Sequence, residues 1–355
     1  GRAEGDIGVS DLTWETVVKM NLGVDIGLFN NDITLSIDLF KEKRKNIFMQ
    51  RTNIPASAGF NKPVWANYGK VDNQGVDMSL NLRHRFNKDF DVTGIANFTY
   101  AHNKIVEIDE ADGIKGTYRS RTGKPIGQLF GLIAERLFTA DDFDGSGKLK
   151  PGIASQKFSA ENNLGPGDIK YKDLNGDGEI TALDRTSIGG TVDPQIVYGF
   201  GATARYKYFD FGFFFSGVGK TYRILGGETW LPASSIGAGN IWSNIDDRWT
   251  PTNPRQDVFW PRMNEYTIAN NEQASTWWLR DMSFLRLKNI ELGMTLPEKW
   301  IHSAGIRDCR IFLRGNNILT FSKFKMWDPE VGSNDGLIYP MMKSFSIGIS
   351  FNFNN

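Results

Sequence analysis

The residues best suited to chemistry form a short acidic loop between positions 173 and 184. Oxygen-bearing side chains occupy its first, third and fifth positions, a glycine its sixth and a carboxylate its twelfth. This is the spacing of the EF-hand loop, which surrounds Ca²⁺ with oxygen ligands. The predicted ligands are Asp173, Asn175, Asp177, Glu179 (through its backbone carbonyl) and Asp184.

A second interpretation of this loop stays open. Aspartate stands at position 184, where an EF-hand has a bidentate glutamate, so calcium binding would be weaker or its last ligand monodentate. The Asn-Gly and Asp-Gly pairs at 175–178 also favour tight turns that need no metal. A related stretch at 142–149 has the pattern of the first half of such a loop. Counted from residue 142, its twelfth position is Ile153 and not a carboxylate, so this stretch is predicted to be a plain turn.

The connection at 222–275 predicts a site of another kind, one that binds through aromatic faces. Its aromatic residues are interspersed with Asn, Asp and Arg, which suits sugars or peptides because both present apolar patches rimmed by polar atoms. The alternative is that these rings pack the loop itself or a partner protein. The candidate contact residues are Trp230, Trp242, Trp249, Trp260 and Tyr266.

No arrangement typical of catalysis is present in the sequence. The three histidines, His84, His102 and His302, are far apart and have no ligand spacing. The stretch 216–221 approaches a phosphate-binding loop, but Phe214 stands where the first glycine is required. We therefore expect a protein without enzymatic activity.

The composition argues against a nucleic-acid-binding protein and against membrane-spanning helices. Lysine plus arginine equals aspartate plus glutamate at 41 each, so no net field favours nucleic acid. Mean hydropathy is −0.36, and no run approaches the ~20 continuous apolar residues of a spanning helix. Aromatic residues reach 13% of the chain, which suits aromatic girdles at a membrane interface.

Period-two alternation recurs along the chain and predicts antiparallel strands. It is clearest near the C-terminus, where large apolar residues alternate with small or polar ones from Phe345 to Phe353. Earlier segments form four predicted hairpins, with turns near 30–32, 87–89, 207–209 and 297–305, the last joining strands 276–296 and 307–323. The connections between hairpins are long, roughly 43–74, 103–194, 222–275 and 325–341.

Short turns alternating with long loops are typical of bacterial outer-membrane β-barrels. If the short turns are periplasmic, nine strands leave the C-terminus in the periplasm. Counting the segment 124–138 as a tenth strand would reverse every later direction, so we assign it to the large extracellular loop. An open arc of nine strands would leave unpaired backbone in hydrocarbon, so further strands must close the barrel.

Several segments resemble SusC/RagA-type TonB-linked outer-membrane transporters. They lie at 11–16, 167–186, 248–254, 279–290, 316–320 and 328–330. The resemblance implies that residues 1–355 are the C-terminal part of a 22-stranded barrel, with the plug domain and the N-terminal strands outside this chain. It also implies import of oligosaccharides or oligopeptides, contact with TonB through the absent N-terminal region, and a SusD-type surface lipoprotein as lid.

Two rival functions remain open. The barrel could act without a plug, either as a passive porin or as a surface receptor or scaffold for a lipoprotein. An outer-membrane enzyme is the other rival, and the lack of a catalytic constellation in this chain argues against it. The sequence does not distinguish glycans from peptides as the ligand.

Overall fold

The computed structural model describes residues 5, 7–9, 11–160, 163–227, 230, 241–264, 268–301 and 306–353, and these residues form an almost entirely β structure. Seventeen strands occur among them. The first ten are β1 (Thr16–Leu28), β2 (Ile33–Gln50), β3 (Trp65–Asn87), β4 (Phe90–Glu107), β5 (Gln128–Gly131), β6 (Ala134–Leu137), β7 (Ser155–Gln156), β8 (Ile169–Tyr171), β9 (Glu179–Ile180) and β10 (Thr186–Thr191). The others are β11 (Ile196–Tyr206), β12 (Phe209–Gly219), β13 (Tyr222–Ile224), β14 (Leu279–Asp281), β15 (Phe284–Thr295), β16 (Ile306–Ser322) and β17 (Ser344–Phe353).

Nine of the described strands make one large sheet. Its order is β1-β2-β3-β4-β11-β12-β15-β16-β17, and every neighbouring pair is antiparallel. Successive sheet strands are therefore neighbours, as in an up-and-down barrel wall, and β1 and β17 form its two edges. This confirms the predicted nine strands and their hairpins.

The sheet has one continuous apolar face. Residues paired across neighbouring strands share a face, so the register shows which side chains line up. One row across the first five strands contains Leu22, Leu39, Val76, Tyr100 and Ile196. A row across the last four contains Phe211, Leu292, Leu313 and Ile347. Many of these side chains are exposed, including Leu22 (65%) and Ile347 (72%), as expected for a surface that meets lipid.

The opposite face carries hydrogen-bonded polar pairs. Lys19 lies 3.0 Å from the Glu42 carboxylate, and the Thr99 hydroxyl donates to Asp77 at 2.8 Å. Further along the sheet, the Arg310 guanidinium contacts the carboxylates of both Asp210 and Glu291 at 2.5 Å. Alternate residues of the same strands therefore form two different faces, an apolar outer face and a polar inner face of a barrel wall.

Three strand boundaries differ from the prediction. β2 continues to Gln50 and β3 begins at Trp65, so the connection predicted at roughly 43–74 shortens to 51–64. The strand predicted from Thr276 was wrong at its start, because β14 pairs with β13 outside the sheet and β15 begins only at Phe284. The chain turns between β14 and β15, where the Ser283 amide donates to the Asp281 carboxylate at 2.9 Å.

Helical structure is sparse in the described residues. The short helix Glu298–Ile301 lies in the turn between β15 and β16. No helix within the described ranges is long and apolar enough to cross a membrane.

Candidate functional site

The long connections gather at one end of the sheet and build a separate layer. We call the described residues of 51–64, 108–195, 220–283 and 323–343 the loop layer. Four small two-stranded units lie within it: β5 with β10, β6 with β8, β7 with β9 and β13 with β14. The segment 124–138 contributes β5 and β6, and these strands pair only within the loop layer, which confirms that the segment is not a strand of the large sheet.

An aromatic cluster forms the interior of the loop layer. The Trp230 ring lies 5.1 Å from that of Trp260, 5.3 Å from Trp242 and 5.8 Å from Trp278, measured between centroids. Such spacing and tilt are those of favourable aromatic pairs. Segments separated by many residues therefore meet through their rings, and this packing holds the long loops together.

The candidate aromatic contacts differ in how accessible they are. Trp230, Trp249 and Trp260 are buried, so the structure favours loop packing, the alternative that the sequence left open, for these three. Trp242 is half-buried at the margin of the cluster and keeps a partly open face. Tyr266 lies outside the described residues. Contact with a ligand or a partner stays a prediction, and Trp242 is the described residue best placed for it.

Three tryptophans of the same cluster, Trp277, Trp278 and Trp327, were not identified from sequence. Trp278 is buried and donates its indole N–H to the Asn271 carbonyl at 2.7 Å, and Trp327 packs 5.7 Å from the Trp230 ring. The consecutive Trp277 and Trp278 break strict alternation, and this break was the available signal that the strand had not yet begun.

A buried ion pair fixes the centre of the loop layer. The Arg262 guanidinium donates to both Asp168 carboxylate oxygens, at 3.0 and 2.7 Å. The Asn271 amide and the Gly165 N–H complete the shell of that carboxylate, at 3.0 and 2.9 Å. Burial raises the pKa of Asp168, while Arg262 favours the charged form. Separating the two residues would leave a buried charge without its partner, which is costly. The pair therefore holds together two segments that are 94 residues apart in the sequence.

The acidic loop is closed by its own hydrogen bonds. Asp173 accepts from the amides of Gly176 at 2.7 Å and Gly178 at 2.8 Å, and both glycines have positive φ. Asp184 is fully buried and accepts from the amides of Leu174 and Thr181. Within the described residues, no group of three or more His, Cys, Asp or Glu side chains is arranged to hold a metal ion.

The last long loop is anchored to the inner face of the sheet. Arg286 on β15 is almost completely buried and pairs with Asp328, and its Nε lies 3.1 Å from the Glu330 carboxylate. Lys288, two residues along the same strand, also contacts Glu330 at 3.1 Å. Residues of β15 therefore hold the loop 323–343, which follows the next strand of the sheet, β16.

Comparison with known proteins identifies the architecture. The family profile described as "TonB dependent receptor-like, beta-barrel" matches residues 1–318. The chain is similar to TonB-dependent receptor P3 of Formosa agariphila, with 30% identity over 98% of this chain and 35% of that protein. It is also similar to TonB-dependent receptor SusC of Bacteroides thetaiotaomicron, with 26% identity over 97% of this chain and 32% of SusC.

Solved structures agree with these sequence matches. A structure of the RagAB peptide transporter superposes with a TM-score of 0.73 at 25% identity, covering 97% of this chain and 36% of the matched chain. The chain thus spans about a third of the length of the relatives it matches. The predicted SusC/RagA-type resemblance is confirmed, and the chain belongs to the TonB dependent receptor-like β-barrel family.

Proposed function

We propose that the protein of which this chain forms a part is a TonB-dependent importer of the bacterial outer membrane, with the C-terminus on the periplasmic side. The main support is the sheet, because an apolar outer face, a polar inner face and long loops at one end are what a membrane-spanning barrel wall requires. Family membership supports the same conclusion.

The proposed cycle is conformational and makes or breaks no bond. A substrate is captured under a SusD-type lipoprotein lid, held by the loop layer and a plug domain supplied by the rest of the protein, and released inward when TonB acts on the plug. Differential affinity of the open and closed states does the selecting. The substrate class is an oligosaccharide or an oligopeptide, and the similarity to a peptide transporter supports the latter.

Uptake in the native host tests this function. Cells with the intact gene, cells lacking it and cells lacking TonB would receive isotopically labelled oligopeptide and oligosaccharide mixtures. We expect uptake of one class to require both the gene and TonB, and to fall when the partner lipoprotein is removed. Uptake that needs the gene but not TonB would indicate the passive porin. Uptake that needs neither would leave the scaffold function.

We also propose that the 173–184 loop binds Ca²⁺. The described carboxylates of the loop do not converge on a metal position, so calcium binding would require Asp173, Asp177 and Asp184 to reorient. Each carboxylate oxygen of Asp173 and Asp184 that accepts an amide has a further lone pair for a cation. Bound calcium would be held by Asp173, Asn175, Asp177, the Glu179 carbonyl and Asp184, and it would cross-link the loop.

A matched pair of substitutions tests the calcium proposal. Asp144 makes a similar turn, in which it accepts from the amides of Ser146 and Lys148, but its segment lacks the closing carboxylate. We expect calcium to raise the thermal midpoint of the purified full-length protein relative to chelator, and Asp177→Asn to remove that rise while Asp144→Asn keeps it. Equal midpoints with calcium and with chelator in the unsubstituted protein would contradict calcium binding.

A further inference from the structure

Two arginines face each other on the ribbon formed by β13 and β14. Arg223 and Arg280 are direct partners in the antiparallel register, so their side chains leave the ribbon on the same face. Like charges placed directly opposite each other destabilise a strand pair. Among the described residues, neither arginine has a carboxylate within 4 Å.

Arg280 is oriented by neutral groups alone. One terminal nitrogen, Nη1, donates to the carbonyls of Trp277 at 2.7 Å and of Leu279 at 2.9 Å. The guanidinium lies over the Phe259 ring, 4.7 Å from its centroid. Burial lowers the pKa of this guanidinium, since no carboxylate favours its charged form. Arg280 is half-buried, and its Nε and Nη2 groups have no protein acceptor among the described residues.

Arg223 is held even more loosely. Its one described polar contact is the Asn334 side-chain oxygen, 3.5 Å from Nη1, at the limit of a hydrogen bond. The same loop layer satisfies other arginines with carboxylates. Arg136 forms a bidentate pair with Asp142, and Arg262 one with Asp168. The Arg223 and Arg280 pair therefore carries two positive charges whose counter-ion is not supplied by the described protein.

We propose that Arg223 and Arg280 together bind a carboxylate group of the transported ligand at the edge of the aromatic cluster. A guanidinium presents its donors in a planar fork that matches a carboxylate, and an anion held by both arginines would form two charge-assisted contacts. Phe259 stacks against Arg280 and is itself 4.8 Å from the Trp260 ring, so the rest of the ligand would lie beside aromatic surface. This inference rests on the proposed import function and specifies that the substrate carries a carboxylate group.

Binding measurements on the purified full-length protein with its lipoprotein partner test the site. The probes are an octapeptide mixture with free C-terminal carboxylates, the same mixture as C-terminal amides, trigalacturonate and its neutral methyl ester. We expect one carboxylate probe to bind about tenfold or more tightly than its neutral counterpart, since hydrogen bonds to charged groups are strong. A peptide preference and a uronate preference would identify the two sources of the carboxylate.

Substitutions locate the effect. Arg280→Gln and Arg223→Gln should each bring the ratio of carboxylate to neutral affinity close to one while leaving the affinity for the neutral probe unchanged, which shows that the loop layer is still folded. Arg255→Gln is the charge-matched control, because Arg255 is exposed and already paired with Asp257 at 2.9 Å. It should keep the full ratio.

Three results would overturn the proposal: equal affinity for acid and neutral probes, retention of the ratio in both glutamine variants, or no binding of any carboxylate probe. Failure of the import function is a separate result, because TonB-independent uptake would leave these binding ratios unchanged.

Discussion

Gly167, in the centre of the loop layer, combines a positive φ of 93° with very close packing. A Cβ atom built on it would lie 2.3 Å from the Trp249 ring. Substitution by alanine therefore adds a steric clash to the cost of the left-handed backbone. We expect Gly167→Ala to lower the local free energy of opening by about 2–4 kcal/mol. Hydrogen exchange of the amides at 163–171 and 248–262 in the full-length protein measures this.

Gly152 separates the two contributions. Its φ is 87°, but a Cβ atom there would meet nothing within 4 Å. Gly152→Ala should therefore cost only the backbone strain, about 1 kcal/mol. Equal costs for the two variants would contradict a steric contribution from Trp249 at position 167.

Asp142 makes one part of the loop layer sensitive to acid. Hydrogen bonds from Arg136 lower the pKa of Asp142 to about 2. Because the folded pKa lies below the unfolded value, the stabilisation is complete above about pH 4 and is lost as the pH falls through about 2. We expect pepsin to cleave near residues 136–150 more slowly in the unsubstituted protein than in Asp142→Asn at pH 4, with the difference vanishing near pH 2. A difference that persists unchanged at pH 2 would contradict this assignment.

The residue scale is also where sequence was least informative about the site. The aromatic candidates were recognisable by type, but their burial depends on partners far along the chain, such as Trp327 for Trp230. The ion pair of Asp168 and Arg262 could not be predicted from the sequence for the same reason, since nothing in the sequence near either residue indicates the other. The acidic loop was easier, because its turns are set by neighbouring residues.

At the scale of the elements, alternate residues of one strand face lipid and lumen. Met78 and Ser79 are neighbours on β3; Met78 pairs with Ile37 and Phe98 on the apolar face, and Ser79 pairs with Asn97 on the polar one. We expect Met78→Arg to destabilise the inserted barrel by about 2–4 kcal/mol, as for an arginine near the bilayer centre. Ser79→Arg should change stability by less than about 1 kcal/mol. The folded fraction in outer membranes, read from heat-modifiable gel mobility, compares them.

The opposite ranking would invert the assignment of the two faces. A similar loss in both variants would instead indicate that this part of β3 is enclosed on both sides.

Strands of the sheet were predictable because their signal is local and repeats every two residues. The alternation from Phe345 to Phe353 reports the environment of β17 directly. The error at Thr276 arose because a run of apolar residues has the same composition whether it enters a sheet or a loop core. Trp278 and β14 lie in the loop core, because β14 pairs with the distant strand β13 and not with the large sheet.

For the whole molecule, the two open sheet edges determine whether residues 1–355 can insert into a membrane without further strands. β1 and β17 each have one hydrogen-bonded neighbour in the sheet, and an unpaired strand edge is not tolerated in hydrocarbon. We expect residues 1–355 expressed alone to fail to insert, and to insert when co-expressed with the remaining part of the full-length protein as a second polypeptide. Co-purification and heat-modifiable mobility of the two fragments measure this.

Insertion of residues 1–355 alone as a stable monomer would contradict the open-edge argument. Co-purification without heat-modifiable mobility would show association of the fragments without a closed barrel.

The anchoring of the last loop by Arg286 has a consequence for how this protein can diversify. The buried guanidinium belongs to β15, whereas its carboxylate partners Asp328 and Glu330 belong to a loop that follows β16. Recombination that exchanged only residues 323–343 with a relative would separate an anchor from its partners and leave a charge buried alone. We therefore expect exchange of residues 323–343 alone to destabilise the loop, whereas exchange of the whole segment from position 286 onward keeps Arg286 with its partners.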